Sequence, residues 1–412
     1  MNKLLILLAL AVCGVASETV EQFVQELKAT DASSAHGNRF LLCSESPWER
    51  TLEVTFFSVV NQEGFLNGER PVLRETEPVF LDELRTRVNC SVNIEDMSIN
   101  YGQNRYWSGR SGDFNQRVNT ANIPFQRLGH VLCNDGTGEC MPSLVSSGEG
   151  YLKEATINEL LIKGTDLSSY KNELSAHPHI SGDYPELERD SFAILSQLYY
   201  PKKFTVSSDE DTYGKIKLMD DQSELLWWKS NNENGICSQF PSTTGETFLG
   251  KVTERSILHY YSEDVCGSAI LKYDSVDNSF GFPALKFVSY PETNGGDCFK
   301  TPSNLPYGAV DVKSCQRGLP FMMSYPHFLD ADASYRNQLS GLNADASKHQ
   351  TYFIIEPVTG MLVESSQKYQ LNVEVKKFKS HESRSMVDTI LPVYWFNKHS
   401  YQCYQEHVGQ SS

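Results

Sequence analysis

The sharpest limit on the fold comes from a strand, a turn and a second strand between residues 351 and 375. Thr351–Ile355 is rich in aromatic and β-branched residues, which favour a pleated, half-buried surface. Pro357 and Gly360 then supply a turn. Apolar and polar residues alternate at the end of the second strand, which predicts one dry face and one wet face. The polar members of this alternation are Asn372, Glu374 and Lys376. The segment therefore predicts a β-hairpin at the centre of a large sheet.

Composition indicates a folded, acidic chain. Of 412 residues, 40% are hydrophobic, with 20 Tyr and 21 Phe, which is enough to form a substantial core. The chain is long enough for two or three average domains, though a large β-rich fold can run this long as one unit. The formal charge of -16 argues against nucleic acid and against an anionic membrane surface as partners.

The N-terminus has the pattern of a secretory signal peptide. Lys3 is basic, Leu4–Val12 is apolar, and Val15–Ser17 is a small-residue cleavage site, so we expect residues 1–17 to be removed. A short helix and a polar linker are predicted for residues 18–44. Past residue 17 no apolar run approaches ~18 residues, so the sequence predicts no transmembrane helix.

Cysteine usage indicates disulfide bonds. Ten cysteines are present, and nine remain without the predicted signal peptide. Cys133 and Cys140 bracket a turn-rich hexapeptide and could close a small loop, which such spacing in a secreted chain favours over a metal site. Nine is an odd number, so at least one thiol would be free or intermolecular.

Residues 125–200 are predicted to be the helical part of the chain. Thr156 and Glu159 have the spacing of a capping box, and Gly164 supplies the stop. The predicted N-glycosylation site is Asn89, followed by Cys90 and Ser91.

No catalytic motif is recognisable. The chain has no nucleophile elbow, metalloprotease helix, P-loop or dinucleotide fingerprint, so we expect neither an enzyme nor a cofactor. His177 and His179, with Asp183 nearby, could suggest a metal site. No third ligand stands at a metal-binding spacing from the two histidines, so we interpret this segment as an exposed loop.

Four segments together carry a family signature. They are Gly308–Cys315, Ser324–Asp332, Gly341–Asp345 and Thr351–Gly360. These segments resemble the signature of the class B scavenger receptor family, which includes the fatty-acid translocase and the lysosomal integral membrane protein. Tyr325 and Ala344 depart from its usual Leu and Pro. The resemblance covers residues 45–397 and is strongest from 204 onward.

The resemblance implies the fold and the disulfides. The expected fold is α+β, a large single domain over residues 45–397, followed by a polar tail over 398–412. An antiparallel β-barrel-like core would carry a helical bundle at one end and an apolar tunnel for fatty acids, sterols or phospholipids. Cys237, Cys266, Cys298 and Cys315 align with four bridging cysteines of the family. Of the three connectivities open to four cysteines, the resemblance implies the crossed one, Cys237–Cys298 and Cys266–Cys315. Cys43, Cys90 and Cys403 are left over.

The resemblance also implies the function. We expect a secreted, lipid-binding glycoprotein that carries or sequesters lipid, with an extracellular protein or lipoprotein as a further partner. Family members are normally anchored by a helix at each end, so an anchored protein at the cell surface is the alternative location. Residues 131–154 contain a single basic residue, Lys153, where the family has a basic, ligand-capturing apex. The alternative function is therefore a protein-interaction or pattern-recognition module with a vestigial tunnel.

Overall fold

The computed structural model describes residues 48–133, 141–177, 184–209, 212–231, 238–240, 242–248, 251–289, 305–378 and 385–402. The predicted signal peptide and the predicted helix and linker before residue 45 lie outside these ranges. Within them, no helix is both long enough and apolar enough to cross a bilayer.

Eighteen strands are found in the described residues. The first nine are β1 Trp48–Val59, β2 Leu73–Glu75, β3 Val79–Asn93, β4 Ser98–Ser111, β5 Arg117–Ala121, β6 Leu152–Thr156, β7 Thr165–Asp166, β8 Ser191–Phe192 and β9 Lys202–Ser207. The others are β10 Ile216–Met219, β11 Ile257–Ser262, β12 Gly267–Asp277, β13 Ala284–Ser289, β14 Ala309–Asp311, β15 Phe321–Ser324, β16 Tyr352–Ile355, β17 Leu362–Val375 and β18 Thr389–Gln402.

One large antiparallel sheet contains fourteen of these strands. Its main path runs β10-β9-β4-β3-β1-β18-β17-β16-β13-β12-β11, while β2 pairs with β1, and β15 joins β14 to β17. The two edge strands, β10 and β11, do not form a ladder with each other. Instead, Thr243 makes isolated bridges to Lys215 beside β10 and to Tyr260 in β11. The antiparallel prediction is confirmed, but the described strands do not form a closed barrel.

The predicted hairpin is confirmed as β16 and β17, which lie inside the sheet between β13 and β18. The Glu356 carboxylate accepts hydrogen bonds from the backbone N–H groups of Val358 and Thr359. Gly360 has a φ of 72°, in the region that glycine adopts without steric cost. Local turn chemistry therefore sets this hairpin.

The predicted wet face of β17 is wrong at its centre. Asn372 and its neighbour Gln370 are completely buried. The Asn372 amide donates to the Ser324 hydroxyl at 3.1 Å and to the Met322 carbonyl at 3.2 Å. The segment after β15 lies against this face, where the His327 N–H donates to the Gln370 side chain at 2.7 Å, so the polar face is dry and internally hydrogen-bonded.

The helices are short, both in the predicted helical region, residues 125–200, and outside it. Those before residue 200 are α1 Gln62–Leu66, α2 Ile123–Leu132, α3 Pro142–Ser146, α4 Ser168–Ser175, α5 Pro185–Glu188 and α6 Ile194–Leu198. Later come α7 Ala333–Asn337 and α8 Ala346–His349. The ladders β5–β6 and β7–β8 lie among the helices of the 123–198 region. The described part of the chain thus shows short helices mixed with strands and no helical bundle.

Helix α2 packs tightly against the segment after β17. Gly129 lies so close to the Phe378 ring that a Cβ there would meet it at 2.2 Å. The backbone N–H of Phe378 donates to the Tyr151 hydroxyl at 2.8 Å. These contacts dock the helical region on the sheet.

The predicted capping box is confirmed at residues 156–159. The Thr156 N–H donates to the Glu159 carboxylate at 2.8 Å, and the Glu159 N–H donates to the Thr156 hydroxyl at 3.2 Å. Gly164, with a φ of 91°, ends the π-helical turn Glu159–Lys163.

The boundary predicted at residue 398 needs correction. Strand β18 continues to Gln402 and pairs there with the beginning of β1. Lys398, placed by the sequence in a polar tail, is 4% exposed. Because β1 and β17 flank these residues, the strand is held inside the sheet.

Candidate functional site

Along β3, the inward face of the sheet changes from apolar to charged residues. On β3 the inward row begins with the fully buried Val79 and Leu81 and continues as Glu83, Arg85 and Arg87. Successive side chains in a strand point to opposite faces, so these residues share one face.

The strand next to it has a similar row but runs antiparallel, so its apolar end lies on the other side of the charged residues. On β4 the row runs from Ile99 and Tyr101 through Gln103 to Arg105 and Trp107. Residues of β1, β9 and β18 extend the charged part across five adjacent strands.

We call this group the inner charge belt. The sheet supplies Arg50, Glu83, Arg85, Arg87, Arg105, Lys202 and Lys398, and the segments beside β11 supply Glu246, Glu263 and Asp264. Burial of charge is costly unless partners compensate, so the arrangement of these pairs decides whether the belt is stable.

One end of the belt is centred on Glu246. Its carboxylate accepts a hydrogen bond from Arg50 at 2.7 Å and another from Arg87. Burial alone would raise the pKa of Glu246, but Arg87 and Arg50 lower it to about 2, so the carboxylate is ionised at neutral pH.

At the middle of the belt two arginines share one carboxylate. Arg85 and Arg105 are direct cross-strand partners, although like charges in such positions repel. Glu83 relieves the repulsion, since its Oε1 lies 2.5 Å from the Arg85 Nε and 3.5 Å from the Arg105 Nε. Burial alone would raise the pKa of Glu83, but the two arginines hold it far below its ordinary value.

The other end of the belt is centred on Asp264. The Lys398 ammonium donates to both carboxylate oxygens, at 2.7 and 2.6 Å, and the Tyr199 hydroxyl donates at 2.6 Å. Burial and the neighbouring Asp264 raise the pKa of Tyr199 well above its ordinary value, so its hydroxyl stays a donor.

Glu263 joins the middle to this end. It accepts a hydrogen bond from the Arg105 Nη2 at 2.9 Å, while the Lys202 Nζ lies 4.0 Å from its second oxygen. Lys202 also lies over the rings of Tyr200 and Tyr261, at 4.9 and 5.6 Å from their centroids. Burial lowers the pKa of Lys202, and Glu263 partly opposes that shift.

A second polar cluster lies at the family signature. His327 is 2% exposed, and its Nδ1 accepts a hydrogen bond from the Asn343 N–H at 3.0 Å. The ring proton therefore lies on Nε2, which donates to Glu75 at 3.0 Å. Trp395 donates to the same Glu75 oxygen at 2.6 Å, and the His349 ring stacks on His327 at 4.4 Å. These contacts join the signature segment to β2 and β18, which is a structural role.

The structure joins Cys266 to Cys315, the pairing that the resemblance implied. Cys133 and Cys90 are also disulfide-bonded. Cys90, which the sequence left unassigned, is thus part of a bridge. Cys237, Cys298 and Cys140 lie outside the described residues, as do Cys43 and Cys403.

The predicted glycosylation residue, Asn89, lies on β3 and is exposed. Its φ of 54° marks an irregularity in the β3–β4 ladder. The loop of His177, which we interpreted as exposed and not as a metal site, is only partly described, since His179 and Asp183 lie outside the described ranges. His177 contacts the Glu173 carbonyl at 2.9 Å. In the part of the chain that the structure describes, no three His, Cys, Asp or Glu side chains are grouped as a metal site requires.

Sequence reasoning missed the inner charge belt. The available signal was the alternation of β3, in which Glu83, Arg85 and Arg87 continue the period of Val79 and Leu81. A period of two places residues on one face but does not say whether that face is buried. The carboxylates that compensate these arginines come from segments far along the chain.

Comparison with known proteins places this structure in a family. The model of the CD36 family matches residues 3–410. Lysosome membrane protein 2 of Mus musculus is 24% identical over 378 residues, which cover 85% of this chain and 76% of the mouse protein. Scavenger receptor class B member 1 of Rattus norvegicus is 27% identical over 401 residues, which cover 92% of this chain and 75% of the rat protein. The chain therefore belongs to the CD36 family, and the resemblance to class B scavenger receptors is confirmed.

Proposed function

We propose that this protein binds amphiphilic lipids in the interior of its antiparallel sheet and carries or sequesters them in the extracellular space. The observation that carries the proposal is membership of the CD36 family over residues 3–410. The lipid classes that the resemblance implies are fatty acids, sterols and phospholipids. The proposed role is binding without catalysis.

The chemistry of the sheet interior supports this ligand class. On the inward face of β3 and β4, the apolar positions Leu81 and Tyr101 lie on either side of the Arg85–Arg105 pair. A lipid with an apolar chain and a polar head would find complementary groups on one continuous surface.

The disulfides support an oxidising compartment. The bond between Cys266 and Cys315, together with disulfides at Cys90 and Cys133, is typical of extracellular and lumenal proteins.

Native mass spectrometry of the full chain, purified from the medium or the membranes of an expressing animal cell culture, tests the proposal. We expect mass shifts that correspond to lipids and that disappear after delipidation. Adding lipid back should restore them and raise the Tm, because a ligand that binds only the folded state stabilises it. A chain that carries no lipid and gains no stability from fatty acid, sterol or phospholipid would overturn the proposal.

A second candidate function is protein binding at the outer face of β3 and β4. Leu84 and Tyr106 are direct cross-strand partners there, and they are 60% and 55% exposed. The double variant Leu84→Ser/Tyr106→Ser separates the two functions. The double variant should leave lipid occupancy unchanged. If the native chain carries no lipid but binds the cell surface, and the double variant loses that binding, the second candidate is favoured.

A further inference from the structure

Two adjacent inward side chains of β4 carry buried N–H groups that have no acceptor among the described residues. They are the Arg105 Nη1 and the Trp107 Nε1. The Arg105 side chain is 8% exposed. Leaving a buried donor without a partner is unfavourable, and nearly all such groups in native proteins are paired. The two donors therefore indicate a missing acceptor.

Both side chains contact the same aromatic ring. The Arg105 Cζ lies 5.2 Å from the centroid of the Tyr199 ring, and the Trp107 ring lies 5.4 Å from it. Alternate residues of a strand are roughly 7 Å apart, and a hydrogen bond spans ~2.9 Å. A group with two acceptor oxygens between the side chains has the right size to engage both donors.

The surrounding charges favour an anionic acceptor. Glu83 serves both Arg85 and Arg105, and Glu263 serves both Arg105 and Lys202. Among the described residues, the middle of the belt and its Asp264 end together contain four buried cations and three carboxylates. The cations are Arg85, Arg105, Lys202 and Lys398, and the carboxylates are Glu83, Glu263 and Asp264. Asp220 acts on Lys202 only from an exposed position.

We propose that Arg105 and Trp107 form a buried oxyanion site, which binds the carboxylate or phosphate head group of an amphiphile. Glu83 and Glu263 orient the guanidinium, and Lys202 adds positive charge beside it. Further along β4 the same face continues through Gln103 to the buried Tyr101 and Ile99, and we place the chain of the ligand beside them. This inference rests on the proposed lipid-binding function and specifies the head group.

The test compares oleate with oleyl alcohol, which has the same chain and no charge, on the delipidated full-length protein. We expect oleate to bind at least tenfold more tightly, because hydrogen bonds to an ionised acceptor are the stronger kind. Trp107→Phe retains an aromatic ring against Tyr199 and removes only the N–H group. It should weaken oleate binding about tenfold and leave oleyl alcohol binding unchanged.

Trp395→Phe is the matched control, since it removes an indole N–H outside the belt and should leave the preference for oleate intact. Arg105→Gln should abolish that preference. If Arg105→Gln fails to fold, Trp107→Phe still decides, because its fold does not depend on an ion pair.

The outcomes separate this site from the proposed function. Equal binding of oleate and oleyl alcohol to the native chain would overturn the oxyanion site while lipid binding stands. Loss of both ligands in Trp107→Phe would also overturn it, since the indole would then act by apolar contact. Binding of neither ligand would overturn lipid binding itself.

Inorganic phosphate distinguishes two sources of the same head-group chemistry. Competition with oleate, reduced in Trp107→Phe, would support a site that also accepts free oxyanions. Absence of competition, with the oleate preference intact, would support a site that needs the apolar chain of an amphiphile.

Discussion

Asp264 stabilises two buried groups from different parts of the chain, Lys398 and Tyr199. We expect Asp264→Asn to lower the free energy of unfolding by about 3–5 kcal/mol, because it leaves the Lys398 ammonium buried without its carboxylate. Urea unfolding measures this loss. Glu154→Gln is the control, since the Glu154–Arg117 pair is exposed and its removal should have no measurable effect. Equal stability of Asp264→Asn and the native chain would contradict the assignment of this ion pair.

His349 makes stability depend on pH. Burial lowers the pKa of His349 to about 4, with His327 adding to the shift, whereas an unfolded histidine has a pKa of about 6.5. Between these values the unfolded state binds a proton that the folded state does not, so stability falls as the pH drops from 6.5 towards 4. The Tm should fall by about 1–3 °C from pH 7 to 5.5 through this residue.

Differential scanning calorimetry of the native chain and His349→Gln checks this pH dependence. The variant should lose part of the decrease in Tm, and an identical pH profile for the two proteins would contradict it. The Tm values of His349→Gln and the native chain at pH 7 are compared separately, because the substitution also removes the ring contacts of His349 with His327 and Trp395.

At the scale of single elements, strand period and cap chemistry are the local signals that the structure follows. The π-helical turn Glu159–Lys163 begins with the reciprocal hydrogen bonds of Thr156 and Glu159. We expect Thr156→Ala to cost about 0.5–2 kcal/mol, which is typical of a lost N-terminal cap. Chemical denaturation of Thr156→Ala, Glu159→Ala and the double variant should give costs that do not add, because the two side chains act as one box. Simple additivity would mean that the two side chains act independently.

The same signals show the limit of prediction for an element. The alternation of β17 correctly predicted a strand, but the exposure of its polar face was wrong because Gln370 and Asn372 are buried in hydrogen bonds to His327 and Ser324. A polar tail was predicted from residue 398, yet β18 continues to Gln402 between two long partners. Contacts with distant segments of the chain decided both features, and such contacts have no local signal.

At the scale of the whole molecule, the Cys266–Cys315 bond joins the segment after β11 to the turn after β14, across 49 positions. Trp227 and Trp228 both donate to the Cys266 carbonyl, at 2.8 and 2.7 Å. Removing the bond should cost about 2–5 kcal/mol and prevent export of the folded chain. The measurement is the yield in the medium and the urea midpoint of Cys266→Ser/Cys315→Ser, which leaves no new free thiol. Normal yield and stability of this double variant would contradict a structural role.

The sequence by itself determined the family, the central hairpin, the capping box and a set of cysteines that contains the observed bond. These features follow from residues close together in the chain, such as the turn of Pro357 and Gly360, or from a motif spread over some fifty positions. Only the tertiary structure decided the inner charge belt. Arg50 finds Glu246 across 196 positions and Arg105 finds Glu263 across 158. A strand period states which side chains share a face, but burial and long-range ion pairs arise only when distant segments pack against that face.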